Sequence, residues 1–120
     1  MFQKFNNRNM RIAYGGTAFI EFQYCKLKSG TKLSKITALS SIRHWQDDSL
    51  YVHVGDMEHF ISDYKDIFDG VDCTGINYYS PEQLKEIVKK LAEQKPFDYA
   101  VLLDWLQHGS DYNGVYIFGI

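Results

Sequence analysis

The chain of 120 residues has few of the features that mark modular, secreted or membrane-spanning proteins. It has only two prolines, which argues against proline-rich linkers and favours a single unit. Its amino-terminal stretch, MFQKFNNRNMRIAY, has no apolar run of signal-peptide length. The longest apolar cluster, YAVLLDWL, is short and is interrupted by Asp104, so we expect no membrane span and a cytoplasmic location.

The sequence also lacks the usual signatures of a chemical site. The two cysteines, Cys25 and Cys73, form no CxxC pair, so we expect buried, reduced thiols. No HExxH motif, nucleophile elbow or phosphate-binding glycine loop is present, so we expect no metal, no cofactor and no enzyme. The enzyme alternative would use His53 as a general base or Cys73 as a nucleophile, although neither has an identified catalytic partner.

The composition is that of an ordinary globular domain. Hydrophobic residues make up 45% of the chain and charged residues 23%, values that exclude intrinsic disorder. We therefore expect one globular domain over residues 1–120.

Residue patterns predict strands first and helices mainly in the second half. In the clearest strand (17–27), Ile20, Phe22 and Tyr24 alternate with polar neighbours such as Glu21, which predicts one buried and one open face. Other strands are expected at 11–14, in one or two pieces of 33–45, and at 50–54, 76–79 and 115–120. Helices are expected at 57–68, from Pro81 to before Pro96, and at 97–108. The predicted fold is α+β, a mostly antiparallel sheet of about five strands with about three helices packed on it.

Charge is strongly segregated along the chain. Residues 1–46 carry eight lysines and arginines against one acid, whereas residues 47–82 carry nine acids against one lysine. In the predicted helix 57–68 the apolar residues form one stripe, and Glu58, Asp63 and Asp66 face outward. A surface of one charge sign costs some stability and is typical of partner recognition.

The acidic block therefore predicts a surface that binds a cationic partner. Asp69 and Asp72 follow the predicted helix 57–68, and Asp47 and Asp48 precede the predicted strand 50–54. Tyrosines are common interface anchors, so we add three from this region. The predicted partner-binding residues are Glu58, Asp63, Asp66, Asp69, Asp72, Asp47, Asp48, Tyr64, Tyr78 and Tyr79.

The carboxyl-terminal third resembles a known family. The segments NYYSPEQLKEIVKKL (77–91), FDYAVLLDWL (97–106) and DYNGVYIFGI (111–120) are similar to immunity proteins of bacterial contact-dependent growth inhibition systems. The resemblance implies a small cytoplasmic protein that binds and neutralises one cognate toxin domain, often a tRNase or other nuclease. It implies no catalysis, no membrane and no direct contact with nucleic acid, and it transfers no particular site residue.

The basic first part of the chain supports an alternative function. Lysines and arginines interleave there with aromatic residues, a pattern of grooves that bind single-stranded nucleic acid. No ribonucleoprotein-type aromatic motif accompanies them, and the same lysines also suit the protection of a strand edge. The basic residues concerned are Arg8, Arg11, Lys26, Lys28, Lys32, Lys35 and Arg43.

Overall fold

A five-stranded sheet organises the chain, of which a computed structural model describes residues 1–5, 8–15 and 18–120. Every neighbouring pair of strands is antiparallel, in the order β1-β3-β2-β5-β4. The predicted α+β architecture is confirmed. The strands are β1 (Phe2–Gln3), β2 (Phe19–Tyr24), β3 (Leu50–His53), β4 (Ile76–Tyr79) and β5 (Val115–Phe118).

The helices are concentrated in the second half of the chain, as the sequence predicts. Two short 3₁₀ turns, Leu39–Ser41 and Val54–Asp56, complete the secondary structure. The α-helices are α1 (Arg8–Gly15), α2 (Leu33–Ile36), α3 (Met57–Tyr64), α4 (Pro81–Gln94) and α5 (Tyr99–His108).

Helix α4 begins where its capping residues predict. The Ser80 hydroxyl accepts a hydrogen bond from the Gln83 N–H at 3.2 Å, and the Gln83 side chain accepts from the Ser80 N–H at 2.8 Å. Pro81 occupies the first turn, where it costs no hydrogen bond. The helix ends at Lys95, whose left-handed backbone (φ 47°) turns the chain before Pro96.

One face of the sheet carries the main core. Phe22, at the centre of β2, contacts the rings of Phe60 and Trp105 edge-on, with centroids 5.6 and 6.3 Å apart. Leu91 of α4 and Leu102 of α5 are fully buried in the same cluster. Helices α3, α4 and α5 therefore pack on this face and exclude water from it.

The second face of the sheet is also buried, which corrects the expectation of an open face on β2. Glu21, Gln23 and Cys25 are buried there, because the connection 26–49 crosses over them. Ile36 of α2 packs against Tyr116 and Cys25 within this second cluster. The strands predicted within 33–45 are wrong, since this segment forms α2 and a 3₁₀ turn and covers the sheet instead of extending it.

Three further expectations require correction. The strand predicted at 11–14 lies within helix α1. Helix α3 ends at Tyr64 rather than residue 68, although Phe68 is still buried by the turn that follows. Helix α5 begins at Tyr99 rather than 97, because Asp98 has a left-handed backbone (φ 64°).

Candidate partner-binding surface

Helix α3 is held on the sheet by two buried aromatic side chains. Phe60 and Tyr64 are both fully buried. The Tyr64 ring lies edge-on to Phe2 with centroids 5.4 Å apart, and its hydroxyl donates to the Phe97 carbonyl at 2.5 Å. These contacts fix the rotation of α3, so the face opposite the core has a defined direction toward solvent.

The outward face of α3 and the turn after it carry unpaired carboxylates. Glu58, Asp66 and Asp69 are exposed, and Asp63 is half-buried. Among the residues that the structure describes, no nitrogen of lysine, arginine or histidine lies within 4.0 Å of these carboxylates. We call these four residues the acidic surface. Within the described part of the chain, none of the four carboxylates forms an ion pair.

The turn beyond α3 is ordered through its backbone, which leaves the acidic side chains outside. Lys90 of α4 donates to the Asp66 carbonyl at 3.4 Å, and the Tyr79 hydroxyl donates to the Asp69 carbonyl at 3.2 Å. Neither bond involves a carboxylate. The acidic surface is therefore presented by a constrained segment rather than by a free loop.

Asp72 lies farther along and is engaged within its own turn. Asn77 accepts from the Asp72 N–H at 2.7 Å and donates to the Asp72 carbonyl at 2.8 Å. The Asp72 carboxylate accepts from both the N–H and the hydroxyl of Thr74, and these bonds lower the pKa of Asp72. Its exposed charge is thus available to a partner but already has two donors.

Asp47 and Asp48 belong to a different neighbourhood. Asp48 forms an ion pair with Lys26 at 2.7 Å, and its carbonyl accepts from the Trp105 indole at 2.8 Å. Asp47 is exposed in the same turn before β3. Among the described residues, the hydrogen bonds and ion pair of Asp48 link this turn to Lys26 and Trp105 and not to the acidic surface.

The predicted tyrosine anchors are wrong in two of three cases. Tyr64 and Tyr79 are buried and belong to the main core, where burial raises the pKa of both phenols. Tyr78 is half-buried, and its hydroxyl donates to the Asn113 carbonyl at 2.6 Å. Tyr64 and Tyr79 occupy inward positions of their elements, so their rings are not exposed at the surface.

One exposed aromatic residue, which the sequence predicted within a helix, lies in the connection between α4 and α5. The Phe97 side chain is 69% exposed, and its carbonyl accepts from the Tyr64 hydroxyl. Burial, together with the charges of Asp98 and Asp63, raises the pKa of that hydroxyl. The signal in the sequence is the position of Phe97 directly after Pro96, in a connection too short to bury a large ring.

A buried carboxylate on the second face was also missed. Glu21 is 2% exposed, and its oxygens accept from the Trp45 N–H at 2.9 and 3.0 Å, the Gln46 N–H at 3.2 Å and the Ser49 hydroxyl at 2.7 Å. Trp45 has a left-handed backbone (φ 66°), and two successive N–H groups thereby point at one carboxylate. His44 lies 3.7 Å from the same carboxylate. This network holds the connection 26–49 over the sheet.

The structure adds little that supports catalysis. Cys25 and Cys73 are free thiols; Cys25 is buried, and burial together with Asp72 raises the pKa of the half-buried Cys73. Within residues 1–5, 8–15 and 18–120, no three side chains are grouped as metal ligands. In the same ranges, none of the helices has the length and apolar character needed to cross a bilayer.

Comparison with known proteins was made at three levels. It finds no matching family model, no matching curated protein and no matching solved structure.

Proposed function

We propose that the protein is a cytoplasmic immunity protein that binds a cognate toxin nuclease and blocks its basic substrate site with the acidic surface. The observation that carries this proposal is the set of four unpaired carboxylates at Glu58, Asp63, Asp66 and Asp69 on one rigid segment. A solvated helix face needs polar residues but does not need charges of one sign, and like charges repel.

Nuclease sites bind phosphates with arginine and lysine, and carboxylates can occupy the same positions. Arginine forms paired hydrogen bonds with a carboxylate as it does with a phosphate. The side chains of α3 are backed by Phe60 and Tyr64, so little ordering entropy is lost when the surface binds. Complementary charge also accelerates association, which suits an inhibitor that must act before the toxin does.

Phe97 supplies the apolar contact that the buried tyrosines do not. An exposed aromatic ring beside carboxylates matches the composition of interface hot spots, in which an apolar anchor is surrounded by polar groups. We therefore include Phe97 in the proposed interface and exclude Tyr64 and Tyr79 from direct contact with the toxin. Asp47, Asp48, Asp72 and Tyr78 remain candidates for contacts outside the acidic surface.

The test uses a charge reversal with a matched control. The double variant Asp63→Lys/Asp66→Lys is compared with Glu86→Lys/Glu93→Lys, which makes the same change in net charge on exposed positions of α4. The partner to test is a nuclease domain encoded beside the gene for this chain, where there is one, and affinity is measured by calorimetry alongside inhibition of RNA cleavage. We expect the α3 variant to bind at least about 100-fold more weakly, as for two charge pairs lost at an interface.

Circular dichroism of both variants establishes that the fold is retained. The proposal fails if the α3 variant inhibits the nuclease as strongly as the unmodified protein, or if the α4 control loses the same affinity. A pull-down from the native cell with the unmodified protein identifies the partner when no nuclease is encoded nearby.

The nucleic-acid alternative has a simple test of its own. The aromatic residues Phe5, Phe19 and Tyr51 are buried against one another, so they do not present open faces for base stacking. The side chains of Arg8 and Arg11 lie outside the described part of the chain. Salt-dependent retention of single-stranded RNA in a low-salt shift assay would favour this alternative over the immunity function.

A further inference from the structure

A groove of about 410 Å³ separates the first half of α4 from the end of α5. Its walls are mainly apolar and include Leu84 and Val88 of α4, Leu106 of α5 and the ring of Tyr112. This volume lies within the range of pockets that bind small molecules, about 300 to 1,000 Å³. A second cavity, of about 340 Å³, continues from the Tyr112 end.

The groove exists because α4 has a wider apolar stripe than its neighbours cover. Ile87 and Leu91 are buried against the sheet. Leu84 and Val88 belong to the same stripe but are only partly buried, since α5 covers one side of them and nothing described covers the other. Apolar side chains left at the wall of a concave site favour a ligand with an apolar body.

Lys85 is the charged side chain that lines the groove, and within the described residues no carboxylate lies within ion-pair distance of the Lys85 ammonium. Pro81 of the first turn of α4 lines the same groove, where the positive end of the helix dipole is opposed by the Glu82 carboxylate of that turn. In the adjoining cavity Lys26 is paired with Asp48, and Asp111 is present, so an anionic group is better placed beside Lys85.

We propose that this groove binds a small amphipathic anion, of which a medium-chain alkyl carboxylate is the simplest example. The alkyl chain lies against Leu84, Val88 and Leu106, and the carboxylate pairs with the Lys85 ammonium. The site contains no residue of α3, so it is separate from the acidic surface and is independent of the proposed toxin binding.

The probe is octanoate, titrated into the full chain by calorimetry and by NMR of the backbone amides. We expect saturable 1:1 binding with shifts at Leu84 and Ser110, and weaker binding of uncharged 1-octanol. Lys85→Gln should weaken octanoate binding by about tenfold and remove its advantage over 1-octanol, as for a lost charge-assisted contact. Lys89→Gln, an exposed control on the same helix, should bind octanoate like the unmodified protein.

A second variant tests the cavity itself. Val88→Trp places a large ring in the groove and should abolish octanoate binding without loss of the folded state by circular dichroism. The proposal is overturned if the unmodified protein shows no saturable binding at millimolar octanoate. It is also overturned if Lys85→Gln and Lys89→Gln bind octanoate equally, or if an acidic apolar peptide shifts the groove amides and octanoate does not.

Discussion

Replacing Glu21 by glutamine tests how the connection 26–49 is held over the sheet. The Glu21 carboxylate is 2% exposed and accepts from two backbone N–H groups and the Ser49 hydroxyl. A glutamine oxygen at the Oε2 position still accepts from the Trp45 and Gln46 N–H groups and the Ser49 hydroxyl, but it is a neutral acceptor, and the NH₂ group then faces the Trp45 N–H. Each bond is therefore weaker than the bond to the carboxylate.

The expected destabilisation follows from these bonds. Hydrogen bonds to a charged group contribute about 1.5 to 3 kcal/mol each, whereas bonds between neutral groups contribute about 0.5 to 1.5 kcal/mol. Weakening the bonds from Trp45, Gln46 and Ser49 by about 1 kcal/mol each gives about 3 kcal/mol for Glu21→Gln. Total stabilities of domains are about 5 to 15 kcal/mol, so the loss is large enough to measure without ambiguity.

Equilibrium urea unfolding, followed by tryptophan fluorescence, measures this difference. Trp45 donates to Glu21 directly, so its fluorescence reports the connection as well as the global transition. Glu58→Gln removes an exposed carboxylate and serves as the control, with an expected change within about 0.5 kcal/mol. A loss below about 1 kcal/mol for Glu21→Gln would refute the view that this carboxylate holds the connection in place.

Two further predictions concern the aromatic residues. Phe97→Ala should change the free energy of unfolding by less than about 0.5 kcal/mol, because the ring is 69% exposed. The same variant should bind the toxin about tenfold or more weakly by calorimetry. Unchanged affinity would remove Phe97 from the proposed interface. Burial raises the pKa of Tyr79 from 10.0 to about 12, so its stabilising neutral form is retained below pH 10 and lost as the pH rises toward 12. Urea unfolding at a series of alkaline pH values should show stability falling in that window and falling less for Tyr79→Phe; an identical decline in both proteins would contradict this assignment.

Local signals predicted the elements whose residues satisfy one another over short distances. The Ser80–Gln83 capping box forms within four residues, so it identified the start of α4 correctly. The apolar stripe of α3 correctly placed Phe60 in the core. The strand predicted at 115–120 is confirmed as β5, whose four residues are buried between β2 and β4.

The errors occur where distant parts of the chain decide the environment. The alternation of Glu21 with apolar residues predicts that its side chain is exposed. In the fold, hydrogen-bond donors 24 to 28 residues away, at Trp45 and Ser49, cover this side chain. Residues 33–45 have strand-like composition, yet they cover the second face because apolar residues such as Ile36 meet Tyr116 there. No local pattern encodes either contact, because each depends on how the connection crosses the sheet.

The candidate site shows the same division. Its charge could be predicted, because the acids of 47–82 are concentrated in the sequence and exposed carboxylates are the rule. Its extent could not, because Asp48 pairs with Lys26 in another part of the fold. The exposure of its aromatic residues could not be predicted for a similar reason: Tyr64 points into the core, whereas Phe97, between the left-handed residues Lys95 and Asp98, is exposed.

The sequence by itself determined the α+β class, the capped helix α4 and the segregation of charge, since periodicity, capping and composition act over a few residues. Only the tertiary structure decided which carboxylates form no ion pair and which aromatic rings are buried or exposed. It also decided that the sheet is buried on both faces. Those outcomes depend on burial, and the burial of a side chain is set by the residues that the whole fold brings against it.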